Sequence, residues 1–227
     1  MKLSPAVSRT LPFAIYMGFL AVGSALSFFQ THGVLPTFDE RWLYPAKIAL
    51  VMLSLFLLWQ HFTELTKPGK TRATDWATAI LVGIIVFVLW INLDQPWASM
   101  GHSAGYNPSD PVTHQPDWLL VSIRIFGAAI VVPIMEELFW RSFIMRWIAQ
   151  HDFLSVDPAR VGIKAFLFTA VLFASEHNLL LAGFVAGLAY NWLYMRTRNL
   201  WVPIVAHGIT NGLLGLWVIH TQNWQFW

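Results

Sequence analysis

The sequence is dominated by apolar stretches of nearly constant length, near residues 11–29, 44–62, 76–93, 118–135, 161–177, 178–195 and 200–220. Each is close to the roughly 20 residues that an α-helix needs to cross the hydrocarbon core of a bilayer. Only helices and closed barrels satisfy every backbone polar group in lipid. The pattern therefore predicts an all-α, polytopic transmembrane helix bundle of about seven to eight spans.

The composition supports one integral-membrane domain over residues 1–227. Charged residues make up 11% of the chain, whereas soluble domains carry about 25%. The first apolar run, "LPFAIYMGFLAVGSALSFF", has 19 residues, which exceeds a signal-peptide core of about 7–15 residues, so we expect a retained helix. The absence of cysteine excludes disulfides and thiolate metal sites. The basic residues are spread through the chain, so nucleic-acid binding is not expected.

The distribution of lysine and arginine predicts the orientation. With the N-terminus inside and seven spans, eleven of the fourteen basic residues fall on the cytoplasmic side: Lys2, Arg9, Lys67, Lys70, Arg72, Arg141, Arg146, Arg160, Lys164, Arg196 and Arg198. Arg41 and Lys47 fall on the far side, and Arg124 lies inside a span. We expect a prokaryotic cytoplasmic (inner) membrane protein with its N-terminus inside, and the lipid bilayer as its surroundings.

One segment, "AAIVVPIMEELFWRSFIMRW" at residues 128–147, carries charges where they are costly. A charged side chain at bilayer depth costs at least about 2.5–3.5 kcal/mol. Glu137 and Arg141 are four residues apart, which predicts an ion pair on one helix face. Glu136 lies about 100° around the helix from Glu137, so Arg141 is not positioned to form an ion pair with it. Pro133 predicts either a kink or a new helix at the interface.

Two further pairs of polar or aromatic residues have helical spacing, Phe173 with His177 and His207 with Asn211. Small residues accompany them, at Gly208, Gly212 and the "GFVAG" of residues 183–187, and predict close helix packing. We expect Glu136, both imidazoles and the carboxamide to meet. A carboxylate beside an imidazole can activate water. A second imidazole and an amide can stabilise the oxyanion that forms when water attacks a carbonyl.

These residues carry a family resemblance. "EELFWR", "FASEH" and "HGITN" resemble the EExxxR, FxxxH and HxxxN motifs of the CAAX-protease and bacteriocin-processing family, whose eukaryotic members are type II CAAX prenyl endopeptidases. The resemblance covers roughly residues 118–215. It implies an intramembrane endopeptidase that hydrolyses a peptide bond of a membrane-associated protein or peptide. It also implies roles for six residues: Glu136 and His177 would activate water, His207 and Asn211 would form the oxyanion hole, and Glu137 and Arg141 would brace the helix.

The metal requirement stays open at this point. Glu136, His177 and His207 are a suitable ligand set for zinc with one open position. The same three side chains could also work as base and donors without metal. Glu176 is interpreted as a solvated or interfacial neighbour, and Phe173 as packing that supports His177.

A depth count conflicts with the predicted meeting of Glu136 and His177. A helix that starts at residue 118 on the outer face places Glu136 about 27 Å deeper, near the cytoplasmic face. A helix that starts at residue 161 on the cytoplasmic face places His177 about 24 Å from that face, near the opposite one. A long helix over 121–149, with its partner starting near 163, would reconcile them.

Two other functions remain as alternatives. A membrane scaffold or bacteriocin-immunity-type protein could keep these residues as a packed polar core. A proton-coupled transporter could use the buried glutamate and histidines, although the chain has no evident internal repeat or matching broken helices.

Overall fold

A computed structural model describes residues 3–36, 38–101 and 105–227; Lys2, which enters the charge count above, lies outside them. The described residues form seven long helices: α1 (Pro5–Thr31), α2 (Leu43–Leu58), α3 (Ala73–Asn92), α4 (Trp118–Ala149), α5 (Ile163–Ser175), α6 (Leu180–Thr197) and α7 (Trp201–Thr221). In the described ranges, β contacts are limited to two isolated bridges. The predicted all-α bundle is confirmed.

The helices differ in their capacity to cross a membrane. Within the described ranges, five segments are long and apolar enough: α1, α2 extended to Glu40–His61, α3, α4 and α7. α5 has only 13 residues. α6 has 18 residues but includes Asn191 and Arg196, and it is not among the five. The seven predicted apolar stretches therefore all form helices, but two of them are short or comparatively polar.

The charged stretch continues α4 without a break, so of the two alternatives predicted at Pro133, a kink or a new helix, the new helix is wrong. α4 runs for 32 residues from Trp118 to Ala149. Two π-helical turns, Gly127–Val131 and Leu138–Ile144, flank the α-helical segment Val132–Glu137. Such turns widen a helix locally and occur frequently at functional sites. The wider turn before Pro133 accommodates a residue that has no N–H for the helical ladder.

Small residues allow the helices of the motif region to approach closely. α3 packs on α7, and α5 packs on α6. A Cβ added at Gly208 would lie 2.6 Å from the carbonyl oxygen of Ala129 on α4, and one added at Gly187 would lie 3.0 Å from the Cα of Ala170 on α5. Larger side chains would force these helices apart, as the glycine pattern predicted.

A buried ionic cluster connects α1, α4 and the turn that follows α2. Arg9 Nη2 donates to Glu64 Oε2 at 2.5 Å, Arg146 pairs with the other oxygen of Glu64, and Ser142 Oγ donates to Glu64 at 2.6 Å. Burial opposes ionisation of Glu64, but the two guanidiniums outweigh it and hold its pKa below the ordinary value. This cluster fixes the end of α4 that lies beyond the motif residues.

Candidate active site

Four of the predicted site residues converge on one cavity of about 270 Å³. Its lining includes Glu136 from α4, His177 from the loop after α5, and His207 and Asn211 from α7. The depth conflict is resolved because α5 starts at Ile163 and already ends at Ser175. His177 therefore lies in a loop part-way along α4, beside Glu136. The next helix begins at Leu180, and this short connection holds the loop inside the bundle.

Glu137 and Arg141 form the predicted ion pair behind this cavity. Arg141 Nη1 lies 3.2 Å from Glu137 Oε1, and both side chains are fully buried. Arg141 Nε also donates to Asn191 Oδ1 at 3.1 Å, which connects α4 to α6. Neither charged residue lines the cavity. The two adjacent glutamates thus lie in different environments, Glu136 at the cavity and Glu137 in the packed interior.

Glu137 also contacts His207, which the sequence did not predict. His207 Nδ1 lies 3.0 Å from Glu137 Oε1, the same oxygen that faces Arg141. A carboxylate paired with a guanidinium accepts, so Nδ1 carries a proton and donates it. His207 Nε2 then points toward Glu136, at 3.9 Å from Oε2. The Tyr190 ring stacks on the imidazole at 4.9 Å between centroids. These contacts fix the orientation of the His207 ring.

His177 is oriented by the helix that precedes it. Its Nδ1 lies 2.8 Å from the carbonyl oxygen of Phe173, four residues earlier. Since a carbonyl can only accept, Nδ1 is the protonated nitrogen, and in the neutral ring Nε2 keeps a free lone pair. The rings of Phe173 and Trp90 contact the imidazole at 4.7 and 5.2 Å. The FxxxH spacing therefore positions the histidine through the backbone of its first residue as well as through packing.

Glu136 lacks a partner for one of its oxygens. Its side chain is 9% exposed, and within the described part of the chain Oε2 is buried without a hydrogen bond. Leaving a buried carboxylate oxygen unsatisfied is costly, and such groups point to a bound water, ion or substrate group. The free oxygen of Glu136 is therefore available to whatever enters the cavity.

Glu176 forms part of the cavity wall. It is half-buried, it lines the cavity, and its Oε1 accepts a hydrogen bond from Trp140 Nε1 at 2.8 Å. From the sequence we interpret Glu176 as a solvated or interfacial neighbour; the structure places it partly exposed at the cavity wall, because the loop after α5 turns into the bundle. Its position directly before His177 was the one sequence signal that could have indicated this.

Asn211 depends on the first π-helical turn. Its Nδ2 donates to the carbonyl oxygen of Ala128 at 2.9 Å, within the turn Gly127–Val131. A widened turn leaves carbonyl groups outside the regular α-helical ladder, and Asn211 takes one of them. The bond uses one of its two amide protons, so the second remains for a group in the cavity.

The structure offers a ligand set for a divalent cation, in which Glu176 takes the place of the predicted His207. One donor atom from each of Glu136, Glu176 and His177 lies within 4.8 Å of the others. Two carboxylates and a neutral imidazole would balance the charge of a divalent cation. Trp140 on Glu176, and the Phe173 carbonyl on His177, are outer contacts of the kind that orient metal ligands. His207 is adjacent to this group rather than part of it.

Comparison with known proteins agrees with the motif resemblance. Residues 118–213 match the family model described as Type II CAAX prenyl endopeptidase Rce1-like. No curated protein and no solved structure matches the chain. The matched segment contains all three motifs and every residue of the cavity discussed above from α4, α5 and α7. The resemblance drawn from the motifs is confirmed: over residues 118–213, this helical membrane protein is similar to the Rce1-like type II CAAX prenyl endopeptidases.

Proposed function

We propose that the protein is an intramembrane endopeptidase that hydrolyses a peptide bond of a membrane-associated protein or peptide. The observation that carries the proposal is the arrangement of Glu136, His177 and His207 around one cavity, in the segment that matches the protease family. Glu136 offers an unpartnered carboxylate oxygen, and His177 offers a free Nε2. Both are proton acceptors of residues that line the cavity, where a water would bind.

The acceptors would activate the water. Glu136, with His177 beside it, takes a proton as the water oxygen attacks the scissile carbonyl, and later returns it to the leaving amine. Proton transfer to Glu136 is efficient because no described residue makes a competing hydrogen bond to its buried free oxygen.

The donors would stabilise the oxyanion. Asn211 has one amide proton left for this purpose. His207 Nε2 can donate only when the ring carries both protons, and the carboxylate of Glu137 on Nδ1 would stabilise that form as charge develops in the transition state. Glu137 and Arg141 thus act as positioning residues, and Glu137 additionally supports the charge of His207.

A divalent cation held by Glu136, Glu176 and His177 would supply Lewis-acid polarisation of the reacting groups. The roles of His207, Asn211 and Glu137 are the same with or without it.

Part of the cavity wall comes from helix ends on the side of the molecule opposite the basic loops. Its lining includes Trp90 near the end of α3, Arg124 near the start of α4 and Gln225 near the C-terminus. Under the orientation predicted from lysine and arginine, with the N-terminus inside a prokaryotic inner membrane, the site opens to the non-cytoplasmic side. We propose that the substrate is presented from that face, to a single domain with its catalytic core at about residues 118–215.

The test uses the purified full chain in lipid nanodiscs and a pool of randomised, fluorophore-labelled peptides, with cleavage positions read by mass spectrometry. Glu136→Gln removes the acid with little change of shape and should abolish cleavage. Asp152→Asn, the same chemical change at an exposed acid, serves as the control and should cleave normally. Equal cleavage by wild type and Glu136→Gln, with both proteins folded, would refute the proposal.

A further inference from the structure

A cavity of about 390 Å³ lies among the basic loops, away from the candidate active site. Its wall comes from the turn after α2, the last turn of α4, the segment between α4 and α5, and the end of α6. None of its described lining residues also lines the active-site cavity. We call it the inner cavity, because the orientation predicted from lysine and arginine places it on the cytoplasmic side. It is a separate site, which the proposed hydrolysis does not use.

Two buried side chains of the inner cavity have hydrogen-bond donors that no described residue uses. Tyr194 is 1% exposed, and its hydroxyl makes no hydrogen bond within the described ranges. Arg146 is 4% exposed; its Nε and Nη2 donate to Ser142 and Glu64, whereas its Nη1 donates to no described residue. Polar groups that are buried without a protein partner point to a bound water, ion or other ligand. The inner cavity therefore offers free donors to an acceptor that enters it.

The charges around the inner cavity leave an excess of positive charge. Arg9 and Arg146 share the single carboxylate of Glu64. Lys67 also lines the cavity and forms no ion pair among the described residues. Three cations and one acid thus give the group a net charge of +2. Because charge at the edge of a bilayer is stabilised by a counter-charge, the missing partner of this group is an anion.

Tryptophans mark this end of the molecule as the level of the lipid headgroups. Trp59 lies directly after α2 and Trp201 lies at the start of α7, with their ring centroids 6.3 Å apart. Trp201 Nε1 donates to the carbonyl oxygen of Leu65 at 3.2 Å, in the turn that carries Glu64 and Lys67. Tryptophan is enriched where the membrane meets water. The inner cavity, which that turn lines, therefore lies at the depth of headgroups rather than of acyl chains.

We propose that the inner cavity binds a phosphate group, supplied by the headgroup of an anionic phospholipid of the cytoplasmic leaflet or by phosphate in solution. The acceptor oxygens of a phosphate match the free donors of Arg146 and Tyr194, and its charge matches that of Lys67. Arg198, whose Nε pairs with Asp157 at 3.0 Å, has two further guanidinium nitrogens for the same ligand. A zwitterionic headgroup brings a cation of its own, so the excess positive charge disfavours it.

A ligand in the inner cavity would also hold the inner end of α4. Ser142 lies in the π-helical turn Leu138–Ile144, and Arg146 lies in the last turn of the helix. Both contact Glu64, which belongs to the turn after α2. The walls of the cavity meet in this arrangement only in the folded protein, so binding raises the free energy of unfolding. The melting temperature is therefore a readout of binding that does not involve cleavage.

The experiment has two arms, both with the purified full chain. In the first, phosphatidylglycerol and phosphatidylcholine with identical acyl chains are titrated into the protein in a nonionic detergent, and bound lipid is counted by native mass spectrometry. In the second, inorganic phosphate is titrated into the protein in phosphatidylcholine nanodiscs, with chloride at equal ionic strength as the control, and the melting temperature is followed. Neither arm depends on hydrolysis, so failure here and failure of the proposed hydrolase are distinguishable.

We expect the wild type to bind phosphatidylglycerol roughly ten- to a hundredfold more tightly than phosphatidylcholine, the range of a charged hydrogen bond. Tyr194→Phe removes only a hydroxyl that has no partner in the described protein, and it should weaken phosphatidylglycerol binding about two- to tenfold. Lys67→Gln should weaken it about fivefold. Lys70→Gln is the matched control, because this exposed lysine of the same loop does not line the cavity, and binding should be unchanged.

The two arms identify the source of the phosphate. A preference for phosphatidylglycerol that both Tyr194→Phe and Lys67→Gln reduce assigns the site to a lipid headgroup. A rise in melting temperature with inorganic phosphate, in the wild type but not in these variants, assigns it to phosphate in solution. Equal binding of the two lipids together with no response to phosphate would overturn the inference. A preference that survives either variant in folded protein, or that Lys70→Gln reduces as much as Lys67→Gln does, would overturn it as well.

Discussion

The buried pair of Glu137 and Arg141 allows structural support and catalytic support to be separated in one set of variants. Both side chains are fully buried, and Glu137 faces Arg141 at 3.2 Å and His207 at 3.0 Å through the same oxygen. Glu137→Gln leaves a buried guanidinium without its acid, which costs about 3–5 kcal/mol of stability. For a chain of this length that corresponds to a melting temperature lower by roughly 6–20 °C. Arg141→Met should cost less, because Glu137 retains His207.

The double variant Glu137→Gln/Arg141→Met distinguishes the two roles. Replacing both members of a buried ion pair is often close to neutral, so stability should return to near the wild-type value. The amide oxygen of Gln at position 137 can still accept the Nδ1 proton of His207, so the ring keeps its position but loses the charge that supports its second proton. We expect cleavage to stay on the order of 10²–10⁴-fold below wild type despite the restored fold.

The assay combines thermal unfolding, followed by tryptophan fluorescence in nanodiscs, with cleavage of the labelled peptide pool. The result that refutes the reasoning is a double variant that regains both stability and activity, since Glu137 would then be a brace and nothing more. A double variant as unstable as Glu137→Gln alone would instead contradict the coupling between the two buried charges.

Two further predictions concern the ionic cluster and the cation ligands. Glu64→Gln should lower stability by about 3–5 kcal/mol, because Arg9 and Arg146 lose their acid, whereas Arg198→Gln, which breaks an exposed pair, should cost under about 1 kcal/mol. Since folding lowers the pKa of Glu64, its contribution is present above the unfolded pKa and is lost as the pH falls through the folded value. The difference between wild type and Glu64→Gln should therefore shrink as the medium is acidified from about pH 5, and a difference that stays constant in unfolding scans would contradict this. Zn²⁺ added to chelator-treated protein should raise its melting temperature in the wild type but not in Glu176→Gln; no rise in the wild type would argue against a cation site.

Local features of the site follow from the sequence because they lie on one helix. The spacing of Glu137 and Arg141 predicts their ion pair, and helix geometry alone separates Glu136 from both. The small residues at Gly208 and in residues 183–187 predict close helix contacts, and the structure confirms these contacts. Each of these features depends on neighbours three or four residues apart, and helical periodicity fixes such relations before any tertiary contact forms.

Relations between helices could not be predicted in the same way. A depth count from the apolar stretches separates Glu136 from His177, because hydropathy locates helix ends to within a few residues and each residue shifts the depth by about 1.5 Å. The actual end of α5 at Ser175 turns the loop inward, and this brings Glu176 to the cavity as well as His177.

The sequence by itself determined that this chain is a helical membrane protein and which residues carry its motifs, because hydrophobic length and helical spacing are one-dimensional properties. Only the tertiary structure decided that Glu137 supports His207 and that Glu176 faces the cavity. Each of these depends on which face of one helix meets another. That choice is made by packing among side chains distant in sequence, and no local pattern records it.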